Sequence, residues 1–179
     1  MNWMDHLNAL IVGTGAAVLV VGLVVLRSSG LAEGTRLFAA QTAQRSLSSQ
    51  LQTDLEHLGI GRPPGAPPVL EASATRLVFY SVADTLGTPA LIRYDVEPDG
   101  PGRSRVVRSV DGVRPRQGYP VTDFQVTLLG ADGQPTVGVA GVRAVGVRTE
   151  ADLPFEDTAE DVPLSWATVV RPIALQYPY

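Results

Sequence analysis

Three hydrophobic patterns follow one another along this chain. The first has no period: from Leu7 to Leu26 no residue is charged, and Leu, Ile, Val, Ala and Gly fill most of the places. About 20 such residues, coiled as a helix, reach across a hydrocarbon core of roughly 30 Å. A helix apolar on every side needs lipid or other helices around it, and a chain of 179 residues has little bulk with which to enclose one. A cleavable export signal predicts a basic start, a shorter apolar core and a small-residue cleavage site. Here the start carries Asp5 and neither Lys nor Arg.

The second pattern has the helical period. Between Leu31 and Leu58 there is no proline, and Leu47, Leu51, Leu55 and Leu58 recur at spacings of four, four and three. Arg45, Gln50, Gln52, Asp54 and Glu56 are read onto the other faces. This amphipathic helix is expected to continue the apolar one, with a bend near Ser28-Ser29-Gly30, and to stop near Gly59-Ile60-Gly61 ahead of Pro63 and Pro64. One helix running from the N-terminus to residue 59 would be about 85 to 90 Å long.

The third pattern alternates. RLVFYSV (76–82), ALIRYDV (90–96), RVVRSV (105–110), TDFQVTLLG (122–130) and VRAVGVRTE (142–150) are five candidate strands, the last two flanking the turn ADGQ. WATVVRPIALQYPY begins as a sixth, and Pro172 within it predicts an edge strand or an extended tail. The expected organisation is an apolar helix over 1–30, its amphipathic continuation over 31–61, a Pro/Gly-rich linker over 62–75 and a β-rich head over 76–179. The expected fold class is α+β: a long N-terminal helix, half membrane or filament-core and half amphipathic, packed on an antiparallel β-sheet head.

Composition narrows the function classes. The formal net charge is −4 and all 14 basic residues are arginine, scattered along the chain, so no basic stripe suggests a nucleic-acid surface. There is no cysteine, which removes disulfides, thiol nucleophiles and Cys-based zinc sites. The only histidines, His6 and His57, stand far apart with no catalytic partners at a suggestive spacing, and GIGRPPG reads as a helix stop rather than a phosphate loop. No catalytic or cofactor-binding residue is expected, and the chain is not read as an enzyme. Glu150, Asp152, Glu156, Asp157, Glu160 and Asp161 form an acidic stretch whose last five members are calcium candidates. Their spacing is not that of an EF-hand, and a solvated acidic loop is the ordinary reading. Tyr119, Tyr177 and Tyr179, with Pro115, Pro120, Pro172 and Pro178, mark extended segments suited either to subunit contacts or to covering their own sheet.

A membrane-length N-terminal segment, an amphipathic stretch ending in LQTDLEHLGIG, then RLVFYSV, IRYDV, RVVRSV and a D-G turn before VRAVGV, in that order, resembles the type IV pilin-like superfamily, most nearly its PilW- and GspJ-type minor pilins and pseudopilins. The resemblance covers almost the whole chain. It implies a structural subunit held in the inner, cytoplasmic membrane by a single pass, with its head outside the cytoplasm, and later packed into a periplasmic or extracellular filament. Implied partners are copies of itself or other pilin-like subunits, membrane lipid before assembly, and a separate assembly ATPase with platform proteins.

On this resemblance Asp5 takes the place of the glutamate near the start of the mature family proteins. A carboxylate in an apolar bundle is costly unless paired, and a neighbouring subunit's N-terminal amine would neutralise it. The alternative sets Asp5 in the headgroup region, where its charge suits the helix dipole. Gly13, Gly15, Ala16, Ala17 and Gly22 would allow close helix approach during assembly. Arg27 and Arg36 follow the apolar run and no basic residue precedes it, an arrangement that by itself favours a cytoplasmic head. The reading from another class is a single-pass, membrane-anchored accessory or binding subunit of a cell-envelope complex.

Overall fold

The computed structural model describes residues 34–84, 86–100, 103–115, 118–139, 141–151 and 164–176. The residues expected to serve assembly, Asp5, Gly13, Gly15, Ala16, Ala17 and Gly22, and the calcium candidates Asp152, Glu156, Asp157, Glu160 and Asp161, lie outside them, as do Tyr177, Pro178 and Tyr179.

Helix α1 covers 34–56. Its stripe Leu47, Leu51, Leu55 and Leu58 is fully buried, as the leucine spacing predicts. Each buried leucine contributes about 1.5 to 3 kcal/mol relative to exposure. The helix stops where expected. Gly59 (φ 89°) and Gly61 (φ 71°) take left-handed conformations, and the Gly59 N–H donates to the Tyr80 carbonyl at 2.7 Å, pinning the helix end to the sheet.

Eight strands follow: β1 (Val69–Ala72), β2 (Arg76–Val82), β3 (Pro89–Pro98), β4 (Ser104–Val110), β5 (Tyr119–Val121), β6 (Asp123–Leu129), β7 (Ala144–Ala151) and β8 (Leu164–Val170), then the short helix α2 (Ile173–Gln176). They form two sheets, β1-β2-β3-β4-β5 and β6-β7-β8, antiparallel at every pairing. The second sheet joins the first through a single residue, Thr122, whose N–H donates to the Glu150 carbonyl of β7 at 2.8 Å.

The expected fold class is thereby corrected. The described residues are 44% strand and 21% helix. They form a mostly β structure of two sheets with one substantial helix, not a long helix laid on a single sheet. Alternation reveals a strand and its buried face but not its partner, so one sheet or two read alike in sequence. Two strands escaped the alternation pattern. β1 falls in the 62–75 stretch expected as linker, and a register shift between Val69 and Glu71 breaks its period. β5 has three residues with Pro120 at its centre, which cannot donate to a further ladder and leaves β5 at the sheet edge. The predicted sixth strand is β8, an edge strand ending before Pro172.

A single core unites these layers. Leu77, Phe79, Ile92, Tyr94 and Val106 of the first sheet, and Phe124, Leu128, Val145 and Val147 of the second, belong to one buried cluster with the α1 leucines.

Candidate functional site

Most polar contacts of α1 with the sheets sit on the buried side of the helix. Asp54 lies three residues after Leu51 and four before Leu58, so helical geometry turns it toward the sheet with the leucines. Its side chain is 3% exposed. Arg108 of β4 grips it at two points, Nε to Oδ2 at 2.6 Å and Nη2 to Oδ1 at 3.0 Å. The Tyr94 hydroxyl of β3 donates to Oδ2 at 2.6 Å, and the Gln50 amide donates to Oδ1 at 3.1 Å. The Ser81 hydroxyl of β2 donates to the Asp54 main-chain carbonyl at 2.8 Å. Both carboxylate oxygens are therefore satisfied without water, the condition under which a buried charge is tolerated.

Burial, then the adjacent Asp54 charge, pushes the Tyr94 phenol well above the ordinary tyrosine value. For Arg108, burial pulls the guanidinium down, but the hydrogen bond and charge of Asp54 outweigh it and hold the group above its ordinary value. The cluster is thus a neutral phenol and a fixed ion pair. Its hydrogen bonds tie one helix side chain to two strands, an arrangement suited to anchoring. The sequence pattern alone reads Asp54 onto another face, and its burial beside the leucines corrects that expectation. The signal available was its position within the leucine spacing itself.

A second, weaker anchor joins α1 to the other sheet. The Gln44 side-chain amide donates to Thr149 Oγ1 of β7 at 2.7 Å, while Gln44 Oε1 is buried with no partner.

The opposite face of the first sheet carries ion pairs. Arg76 stands across from Asp95 in the β2–β3 register and bonds it at 2.8 Å; Arg93 reaches the same carboxylate at 2.7 Å and Arg114 at 3.6 Å. Glu97 pairs with Arg105 across the β3–β4 register and with Arg114. Burial alone would raise the Asp95 pKa, but the arginine contacts reverse the sign and hold it below the ordinary carboxylate value. These arginines are occupied by carboxylates of their own sheet rather than presented to a polyanion.

A groove of about 880 Å³ lies beyond the end of α1. Its walls include Glu56, His57, Ile60 and Arg62 from the helix stop and Ile173 and Ala174 from α2. Ile173 is 70% exposed and Ile60 36%. His57 is half-buried with Nδ1 2.8 Å from the Thr53 carbonyl, so that nitrogen carries the proton and caps an end carbonyl. Tyr119 is half-buried against the core, covering its own sheet.

No helix among the described residues is long and apolar enough to cross a membrane, and no group of three His, Cys, Asp or Glu side chains among them is placed to hold a metal ion. Compared with known protein families, curated proteins and solved structures, the chain matches none.

Proposed function

We propose that this chain is a structural subunit of a type IV pilus-like or pseudopilus filament. The apolar stretch Leu7–Leu26 is stored in the membrane and then packed among its counterparts, while the β-rich head faces outward. The observation that supports this best is a convergence. Asp54 comes from LQTDLEHLGIG, Tyr94 from IRYDV and Arg108 from RVVRSV, three of the stretches whose order carries the pilin-like resemblance, and they meet in one buried cluster. A head locked to its helix in this way would transmit load between an outer domain and a filament core. Subunits would add through open, heterologous contacts, and a separate ATPase would supply the energy.

Electron microscopy of material sheared from native cells, labelled with antibody against the head, tests the proposal. Continuous labelling along filaments marks a major subunit and labelling at the tips a minor one. Signal confined to the membrane fraction overturns the filament reading in favour of an anchored accessory subunit, for which the groove beyond α1 offers a partner surface. Asp5→Ala separates the same two readings, since a filament subunit loses assembly and an anchor tolerates the change.

A further inference from the structure

The sheet edges of the head are not treated alike. An edge strand offers a row of unpaired main-chain groups, which proteins blunt with proline, charge, a bulge or a covering segment. β5 has three residues with Pro120 at its centre. β1 has four, is broken by its register shift and lies beside β6. β6 begins at Asp123, and the segment after it folds back so that the Thr136 N–H donates to the Leu128 carbonyl at 2.8 Å. β8 has none of these devices. LSWATVV carries no charge, proline or glycine, pairs with β7 without a break over all seven residues, and has no other main-chain partner among the described residues.

The core also stops one strand short at this edge. Val147, Thr149 and Ala151 of β7 are buried, whereas Thr168, Trp166 and Leu164, opposite them on the same face of β8, are half-buried. A further strand beside β8 would bond its free main-chain groups and cover these three side chains. A charged strand would find no countercharge on β8 and would bury its own charge against Trp166, so the fit is to apolar and β-branched residues.

Within a filament, a second copy of this chain does not supply that strand. Its β1, β5 and β6 edges are blunted, which leaves only its own β8. Two β8 strands paired antiparallel, as every ladder in this fold is, are related by a two-fold axis normal to the sheet. That axis reverses α1 as well, because α1 runs in the direction of β8. Gln44, early in the helix, bonds Thr149 opposite Trp166, and Gly59, past the helix end, lies beside Leu175 beyond the end of β8. Copies that repeat along one filament keep their helices pointing the same way. We propose that the free edge of β8 pairs antiparallel with an extended, uncharged strand of a different subunit, whose apolar side chains close over Trp166. The inference rests on the filament reading and names one contact within it.

The test places a photoactivatable amino acid at Ser165, Ala167 or Val169, one position at a time, in the full-length chain in native cells. All three side chains are exposed, so none of the changes removes core packing, and unchanged thermal unfolding verifies this. The expected result is that all three positions crosslink to one other protein. Their contact points should descend along its sequence two residues at a time as the β8 position ascends, the order of an antiparallel ladder. Adding Thr168→Lys, a charge on the half-buried face, should abolish these adducts while the head still unfolds cooperatively. A homodimer joined at position 167 overturns the inference. So do an adduct within the chain itself, contact points scattered over several proteins, adducts that survive Thr168→Lys, or no adduct while microscopy shows the chain in filaments. The antiparallel series without filaments keeps the contact and sinks the filament reading; neither series nor filament sinks both.

Discussion

Arg108 and Asp54, 54 residues apart in sequence, meet through two hydrogen bonds of 2.6 and 3.0 Å at a point where the arginine side chain is 18% exposed and the aspartate 3%. The pair fastens α1 to β4, and Tyr94 fastens the same carboxylate to β3.

Breaking one side of such a pair strands a buried charge. Arg108→Met is expected to lower unfolding stability by about 3 to 5 kcal/mol. Asp54→Leu combined with Arg108→Met and Tyr94→Phe removes the carboxylate with its two partners on the sheet, leaving only the half-buried Gln50 amide of the same helix, and is expected to recover most of that loss. Urea unfolding of the head at neutral pH reads both. A triple variant no more stable than Arg108→Met would show that the charges contribute more than their own mutual satisfaction.

The second anchor behaves oppositely, because it is incomplete. Gln44 Oε1 is buried with no hydrogen-bond partner, and such an atom costs about 1 to 3 kcal/mol. Gln44→Leu with Thr149→Val should therefore be neutral or stabilising, whereas Gln44→Leu alone leaves the Thr149 hydroxyl without its partner and should be the worse of the two. Thermal unfolding of the single and double variants decides it.

Gly61 and Gly65 offer a matched comparison at the helix stop. Both have positive φ, 71° and 80°. A Cβ on Gly61 would lie 2.2 Å from Pro89 Cβ, while one on Gly65 meets nothing within 4 Å. Gly65→Ala carries backbone strain alone, about 1 to 2 kcal/mol. Gly61→Ala adds an overlap against a rigid ring and should cost at least about 1 kcal/mol more. Equal losses from the two would remove steric contact with Pro89 as the reason for glycine at 61.

Acid should weaken the outer face of the first sheet. The folded pKa of Asp95 is depressed, so the unfolded chain takes up its proton first as pH falls. The stabilisation from Asp95 is present above the unfolded aspartate value, about 3.9, and fades as pH drops through the folded value. Asp95→Asn should therefore flatten the acid limb of a stability-against-pH curve. An unchanged limb in that variant would rule out Asp95 as its source.

What the sequence disclosed follows from what period can encode. The leucines of α1 and strands β2, β3, β4, β6, β7 and β8 each repeat long enough to be recognised, and the glycines at 59 and 61 mark the helix stop. β1 and β5 are too short and irregular to show a period, and β5 is defined only by its pairing with Ser104, Arg105 and Val106 of β4. The anchor was hidden for a different reason. An acid on a helix is by default solvated, and only the tertiary positions of Tyr94 and Arg108 make burial of Asp54 affordable. The division into two sheets depends on partner choice, which no single strand carries in its own residues.

α1 reaches both sheets, Gln44 holding β7 and Asp54 holding β3 and β4. Neither sheet can then open without releasing the same helix. Amide exchange in β3 and in β7 should share one opening free energy, so that the head melts as a single cooperative unit although its strands divide in two.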